Sequence, residues 1–197
     1  MLLTSDHTQA GSKMPRRQND LYETPKLLLD CLFDNFKLNV KYLTIFEPCN
    51  GKGAISNELT KLGYKVITAD LYETCDYPMD ARNSKAWSSI KARNDLFPKH
   101  EIDAVITNPP FTSAEEIATQ AISHSTVVCL LTRLSFLEPT KSRDKFWQLH
   151  PPYKVIVNPR TSFTNDGKSD SMTTCWIIWY SGMPLYTTQL VIAWNKK

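Results

Sequence analysis

Four consecutive residues, Asn108, Pro109, Pro110 and Phe111, follow the apolar run Ile102 to Thr107 and carry the most pointed chemistry in the chain. Each proline has φ fixed at about −65° and no N–H, so the carbonyls around it stay out of a local helix. Asn108, preceding a proline, is pushed to extended geometry. A side-chain amide and a backbone carbonyl are thus held rigidly at the end of a strand, beside an aromatic face. Such a corner can grip a planar group bearing an –NH₂. The carbonyl oxygens of Asn108 and Pro109 each accept one amino hydrogen, and Phe111 stacks on the ring. A plain Pro-Pro turn after a buried strand uses the same residue types, so the remaining chain has to decide between the two.

Two further loops bear on that decision. Tyr42 to Phe46 is short, apolar and β-prone, and it runs into Glu47-Pro48-Cys49-Asn50-Gly51-Lys52-Gly53 before a helical stretch to about Leu62. Lys65 to Asp70 is a second buried strand ending in a carboxylate, and a looser stretch leads on to Asp80. In open α/β sheets, ligands lie beyond the C-terminal ends of the strands. Here those ends carry Glu47, Gly51, Gly53, Asp70, Asp80 and Asn108. Glycines let the backbone close on a ligand and turn into a helix N-terminus, and Asp70 stands where a carboxylate accepts from both ribose hydroxyls. A nucleoside-bearing cofactor is implied. A dinucleotide fingerprint needs a third glycine where Ser56 stands, and the pattern G-x-x-x-x-G-K-[ST] is absent. The acidic residues suit a cofactor without phosphates. S-adenosylmethionine fits, with an adenosine, a sulfonium and an ammonium for an acidic partner. Taken singly, Glu47 and Asp80 read as surface carboxylates; their joint placement at strand ends argues otherwise.

The elements that must position these residues alternate strand and helix. Thr24 and Pro25 read as an N-cap and a first helical residue, and Leu28, Leu32 and Phe36 supply a core face for a helix from Pro25 to Phe36. Helices are also expected around Ser84 to Ala92 and over Ala114 to Ser123, with a fully apolar strand at Thr126 to Leu131. Strands without polar alternation belong to a parallel sheet buried on both faces. Pro139 to Leu149 is amphipathic, and Lys154 to Val157 and Thr174 to Trp179 are expected to pair as an antiparallel edge hairpin across the turn Asn165-Asp166-Gly167. Tyr186 to Trp194 is β-prone and has no assigned place.

Composition sets the outer bounds. With 197 residues, 42% of them hydrophobic, the chain suits one domain with a full core. Residues 1–19 are polar, their charge cluster is Lys13, Arg16 and Arg17, and they are expected to be a flexible arm ahead of a single domain spanning 20–197. A net charge of +3 permits nucleic-acid contact without demanding it. Cys31, Cys49, Cys75, Cys129 and Cys175 are scattered and never spaced as C-x-x-C, which argues against a disulfide framework and against zinc. They read as small core residues in a reducing cytoplasm. The four histidines are equally dispersed, so no metal is expected. No apolar run approaches about 18 residues and no signal pattern opens the chain, so a soluble cytoplasmic protein without membrane contact is expected.

Taken in order, Tyr22-Glu23-Thr24-Pro25, Glu47-Pro48-Cys49-Asn50-Gly51-Lys52-Gly53, Asp70, Asp80 and Asn108-Pro109-Pro110-Phe111 resemble the small phage-type adenine-N6 DNA methyltransferases. The similarity runs from about residue 18 to about residue 180 and takes in Arg133-Leu134-Ser135-Phe136-Leu137-Glu138 and Pro159-Arg160-Thr161-Ser162-Phe163. The glycine loop and the Asn-Pro-Pro-Phe motif are specific together, the later segments less so, and Lys52 departs from the small or acidic residue often found there. The resemblance implies a Rossmann-like class I methyltransferase: an α/β fold with a mostly parallel seven-stranded sheet, an antiparallel final strand and helices on both faces. It implies transfer of the S-adenosylmethionine methyl group to the N6 amine of a flipped adenine in duplex DNA, leaving S-adenosylhomocysteine. It places the cofactor on Tyr22, Thr24, Pro25, Glu47, Pro48, Asn50, Gly51, Gly53, Asp70, Asp80 and Asn108, and the reaction on Asn108, Pro109, Pro110 and Phe111. It also makes Phe163 a second face for the base, and Arg133 and Arg160 phosphate contacts, with Lys141, Arg143 and Lys145 as further cations. Enzymes acting on adenine in RNA and on glutamine amides in proteins use the same corner, and a non-catalytic cofactor binder is a third reading; the residues leave these open. Because the sheet uses almost every residue from about 20 to 180, a short or degenerate DNA context dominated by phosphate contacts is expected.

Overall fold

The apolar runs of the sequence become eight strands: β1 (Thr44–Glu47), β2 (Lys65–Asp70), β3 (Tyr77–Pro78), β4 (Ile102–Thr107), β5 (Ser125–Arg133), β6 (Lys154–Val157), β7 (Thr174–Tyr180) and β8 (Gln189–Ile192). Five helices accompany them: α1 (Lys26–Asn35), α2 (Ala54–Lys61), α3 (Ser84–Lys91), α4 (Ala114–His124) and α5 (Asp144–Leu149). The structure is a computed structural model and describes residues 23–38, 43–71, 75–93, 95–97, 101–163, 172–181 and 187–193. The expected arm, Tyr22 and the Asn165-Asp166-Gly167 turn lie outside these residues. Among the described residues, no helix is long and apolar enough to cross a membrane.

All eight strands form one sheet in the order β3-β2-β1-β4-β5-β7-β6-β8. Pairing is parallel throughout except where β7 meets β5 and β6, so β7 alone runs against the rest. The six strands located in the sequence are present, and β3 forms within the stretch read as loose. After the reversed strand β7, β8 is added as an edge strand in parallel register with β6, from Lys154 opposite Gln189 to Val157 opposite Ile192, so the antiparallel strand is not the last. The β6–β7 pair is antiparallel as expected, but it sits inside the sheet and not at its edge. The reason is burial: six of the seven β7 residues are buried, which an edge strand does not allow, whereas β8 exposes Leu190 and Ile192.

Side chains alternate across this sheet into two cores. Val105, Val128, Leu130 and Ile177 pack with Trp87 and Ile90 of α3, Ile117 of α4 and Phe146 of α5. Ala104, Ile106, Cys129 and Trp176 pack with Leu28, Leu29 and Leu32 of α1 and Ile55 and Leu59 of α2. With both faces covered, the strands have no polar face to show, which accounts for their continuous hydrophobic runs. Most boundaries shift by one or two residues, and two of the differences have a visible cause. Pro25 is the residue before α1, and the Thr24 hydroxyl makes no cap bond to it. The stretch expected from Pro139 is helical only from Asp144, because the Thr140 carbonyl accepts from both Arg143 N and Asp144 N in a turn.

Candidate active site

The strand order reverses between β1 and β4, the one place where neighbouring connections leave toward opposite sides and open a crevice. Glu47 ends β1 there and Thr107 ends β4. Both are fully buried. Glu47 Oε1 accepts from the Thr107 hydroxyl at 2.6 Å and from Cys49 N at 3.0 Å, while Oε2 is buried with no partner. Burial pushes the Glu47 carboxyl up to about 8, against the two hydrogen bonds, and the nearby Asp70 charge adds to the rise. The acid is therefore largely protonated at neutral pH until a cation reaches it. Burial also pushes the Cys49 thiol well up, so it stays a thiol.

The loop after β1 is folded against the end of β2. Asn50 N donates to Ala69 O at 3.0 Å, and Gly51 N donates to Asp70 Oδ2 at 2.9 Å, which fixes the Asp70 carboxylate beneath the loop. Gly51 and Gly53 both have positive φ, 52° and 84°. At Gly53 a Cβ would meet Asn57 Nδ2 at 3.0 Å. The Asn50 amide is turned inward, its Oδ1 accepting from Ser56 Oγ at 2.6 Å. Ser56 thus stands where a third glycine was missing and holds the loop closed. Pro48 is buried under it. Asp80, beyond β3, is bound by Arg82 through Nε (2.8 Å), Nη2 (2.7 Å) and the backbone N (3.0 Å), and that guanidinium holds its carboxyl below the usual range.

At the end of β4, Asn108 and Pro110 are half-buried and Pro109 is buried. Asn108 Nδ2 donates to Thr24 Oγ1 at 3.0 Å, so the threonine expected to cap α1 instead steadies the amide. Phe111 opens a short 3₁₀ turn, and the Arg133 guanidinium lies over its ring, 4.6 Å from the centroid. Phe163 is buried in the core on the α1 side. Arg160, Lys141 and Lys145 are exposed, whereas Arg143 is half-buried. The structure thus brings Thr24, Glu47, Gly51, Asp70, Asn108 and Phe111 to the C-terminal edge of the sheet, with Arg133 beside them.

No protein-family model and no curated protein sequence matches the chain. Among solved structures, a Pyrococcus horikoshii protein described as an RNA methyltransferase overlies it at a TM-score of 0.53 and 19% identity, covering 85% of this chain and 90% of that one. A Listeria monocytogenes protein described as a class I S-adenosylmethionine-dependent methyltransferase reaches 0.48 at 13% identity, over 84% of this chain and 61% of that one. A dimethyladenosine transferase from Plasmodium falciparum reaches 0.48 at 17%, over 81% and 62%. The chain has the class I methyltransferase fold. At these identities the likeness is one of architecture, and it agrees with the strand order and with the single reversed strand β7.

Sequence reasoning alone misses two buried polar residues along this edge of the sheet: Thr107 at the crevice, and Asn158 three strands away at the end of β6. Thr107 was read only as the last residue of a strand, yet its hydroxyl orients Glu47. Asn158 follows β6, is 3% exposed and donates from Nδ2 to Thr174 Oγ1 at 3.3 Å, and its Oδ1 is buried without a partner. A signal for it was available, since Asn158-Pro159 ends a strand as Asn108-Pro109 does. Among the described residues, three of the four buried side-chain polar atoms without partners, Glu47 Oε2, Arg133 Nε and Asn158 Oδ1, lie at the C-terminal ends of β1, β5 and β6. Orphaned polar atoms are costly in a core, so their concentration along one edge marks where a polar ligand belongs.

Proposed function

We propose that the chain is an S-adenosylmethionine-dependent methyltransferase that methylates the exocyclic N6 amine of adenine in DNA, acting on a base turned out of the duplex. The observation that carries this reading is the Asn108 amide, anchored by Thr24 at the crevice between β1 and β4. In this reading Asn108 Nδ2 is held by Thr24, and its Oδ1 is the atom assigned to accept from the incoming amine. The Pro109 carbonyl is a second acceptor, since the following turn directs the Ser113 N–H to Pro110 O.

The residues present fit the cofactor. Glu47 Oε2 is an orphaned acidic oxygen suited to an ammonium group. Asp70, steadied by Gly51 N, suits a ribose diol, and the left-handed Gly51 and Gly53 keep the approach clear of side chains. Asp80 takes an adenine amine only by exchanging it for Arg82, and both partners are solvent-accessible enough to part. When bound, the cofactor supplies an electrophilic methyl group. The chain's own part is to make a poor nucleophile competent. The adenine amine lone pair is delocalised into its ring, and two fixed acceptors on its hydrogens favour the tetrahedral nitrogen that can attack. Phe111 offsets the unstacking of the base, a cost of a few kcal/mol.

Tritiated methyl transfer to duplex DNA, single-stranded DNA, RNA and protein, run in parallel, tests the reading. Label that resists RNase and protease and yields to DNase supports it. Label in RNA or protein keeps the reaction and moves the substrate, and cofactor binding without transfer to any of the four rejects the enzyme.

A further inference from the structure

A cleft of about 140 Å³ opens beside Phe111, with Phe136 on its other side and Thr132, Ser135, Arg133 and Arg143 completing its walls. That is about half of the roughly 300 Å³ at which pockets begin to take drug-sized ligands, so there is room for one compact group and not for a whole nucleotide.

Its two arginines are held very differently. Arg143 donates from Nη1 to the carbonyls of Phe136 at 3.1 Å and Ser135 at 3.4 Å, lies 4.8 Å above the Phe136 ring and has Glu115 at 3.6 Å. Arg133 has no ion pair or hydrogen-bond acceptor among the described residues, and its Nε is buried without a partner. Its one contact of note is with the face of Phe111. A cation–π contact offsets only part of the cost of an unsatisfied, desolvated N–H on a cation. Arg133 is therefore a guanidinium waiting for an anion. Two guanidinium groups against the single Glu115 carboxylate leave one positive charge, matched by an anion of one charge with two oxygens for the fork of an arginine.

We infer that this cleft binds a phosphodiester of the nucleotide carrying the target base, Arg133 leaving the ring of Phe111 for the diester as the base arrives. The inference rests on the nucleic-acid reading above and adds to it a specific linkage and the residues that hold it. The guanidinium covers the ring face that the base needs, so exposing Phe111 and gripping the backbone become one movement. A lone adenine would have to displace Arg133 with nothing to receive it.

The test uses duplexes in which one adenine faces an abasic site, so that it leaves the stack at low cost, with each neighbouring linkage in turn made a neutral methylphosphonate. Dissociation constants are measured by fluorescence anisotropy on the full chain. Neutralising one particular linkage should weaken wild-type binding about tenfold, the loss expected for a charged hydrogen bond. Arg133→Gln should bind the unmodified duplex about tenfold more weakly and be indifferent to that linkage, since the two changes remove the same interaction. Arg143→Gln should keep most of the wild-type sensitivity to that linkage, because Arg133 is still there to hold it and Arg143 is already engaged by Phe136 O, Ser135 O and Glu115. The thermal melt of Arg133→Gln should match wild type. Losses that simply add at every linkage, or an Arg133→Gln protein that binds like wild type, would overturn the inference. Inorganic phosphate is titrated in parallel; if it displaces the duplex beyond the effect of chloride at equal ionic strength, the cleft belongs to a free ion. Methyl transfer on the same duplexes keeps the two proposals apart: transfer without coupling rejects the cleft and retains the reaction, and coupling without transfer does the reverse.

Discussion

Replacing Glu47 by Gln should remove most of the protein's loss of stability between mildly acidic and mildly basic pH. Glu47 is fully buried, and its carboxyl is raised from an ordinary 4.5 to about 8. A group whose pKa is higher folded than unfolded contributes stability that is complete below the unfolded value and lost as pH climbs through the folded one. The window is therefore 4.5 to about 8. At about 1.4 kcal/mol per unit, the whole loss is about 5 kcal/mol, with no discount for solvent because the group is buried. Gln keeps the oxygen that accepts from Thr107 and Cys49 and does not titrate. Urea unfolding of both proteins from about pH 5 to about pH 9 should show the Gln variant gaining on wild type by roughly 1.4 kcal/mol per unit in mid-window, then levelling off. For a chain of this size that is a relative gain of roughly 10 to 20 °C in melting temperature across the window. A difference between the two proteins that stays constant with pH would mean that Glu47 is ionised in the fold throughout. Cofactor binding to wild type near neutrality should also release close to one proton, counted by calorimetry in buffers of different ionisation enthalpy, and none from the Gln variant.

Three other outcomes are expected. Asp70→Ala should weaken S-adenosylmethionine binding by about 1 to 3 kcal/mol in calorimetry, the range for lost hydrogen bonds to a charged group; unchanged affinity would move the cofactor away from β2. Gly53→Ala should lower unfolding free energy by about 1 to 2 kcal/mol, because its φ of 84° is left-handed. An unaffected urea midpoint would mean that the loop relaxes out of this conformation. Mapping methylated adenines after expression in an unmethylated host should reveal a short or degenerate context; a single strict site of about six base pairs or more would show that the loops read bases well beyond their length.

The fold was most legible where apolar runs meet hard stops. Lys65–Asp70, Ile102–Thr107 and Lys154–Val157 have the limits expected from sequence, and each is bounded by glycine or proline within a few residues. β8 was legible as a β-prone stretch within Tyr186 to Trp194 but not in its place, since its pairing with β6 spans more than thirty residues of chain and its exposed Leu190 and Ile192 mark no core face. The seat of β7 between β5 and β6 is likewise a tertiary outcome that local pattern does not encode. At the site, residue types identified Glu47, Asp70 and Asn108, because strand ends are readable in sequence. Partners were not readable: Thr24 left its helix for an amide 84 residues away, and Arg82 took both oxygens of Asp80 from two residues on.

The central claim is that Asn108 acts on the substrate amine at a cofactor-bearing crevice. It is tested most directly by measuring S-adenosylmethionine affinity and tritiated methyl transfer to DNA side by side for wild type and Asn108→Ala. Transfer should fall about a hundredfold or more, the scale for removing one preorganised group that acts on the transition state, while cofactor affinity stays close to wild type. Transfer that survives the substitution, or cofactor affinity that falls with it, would contradict the assigned role.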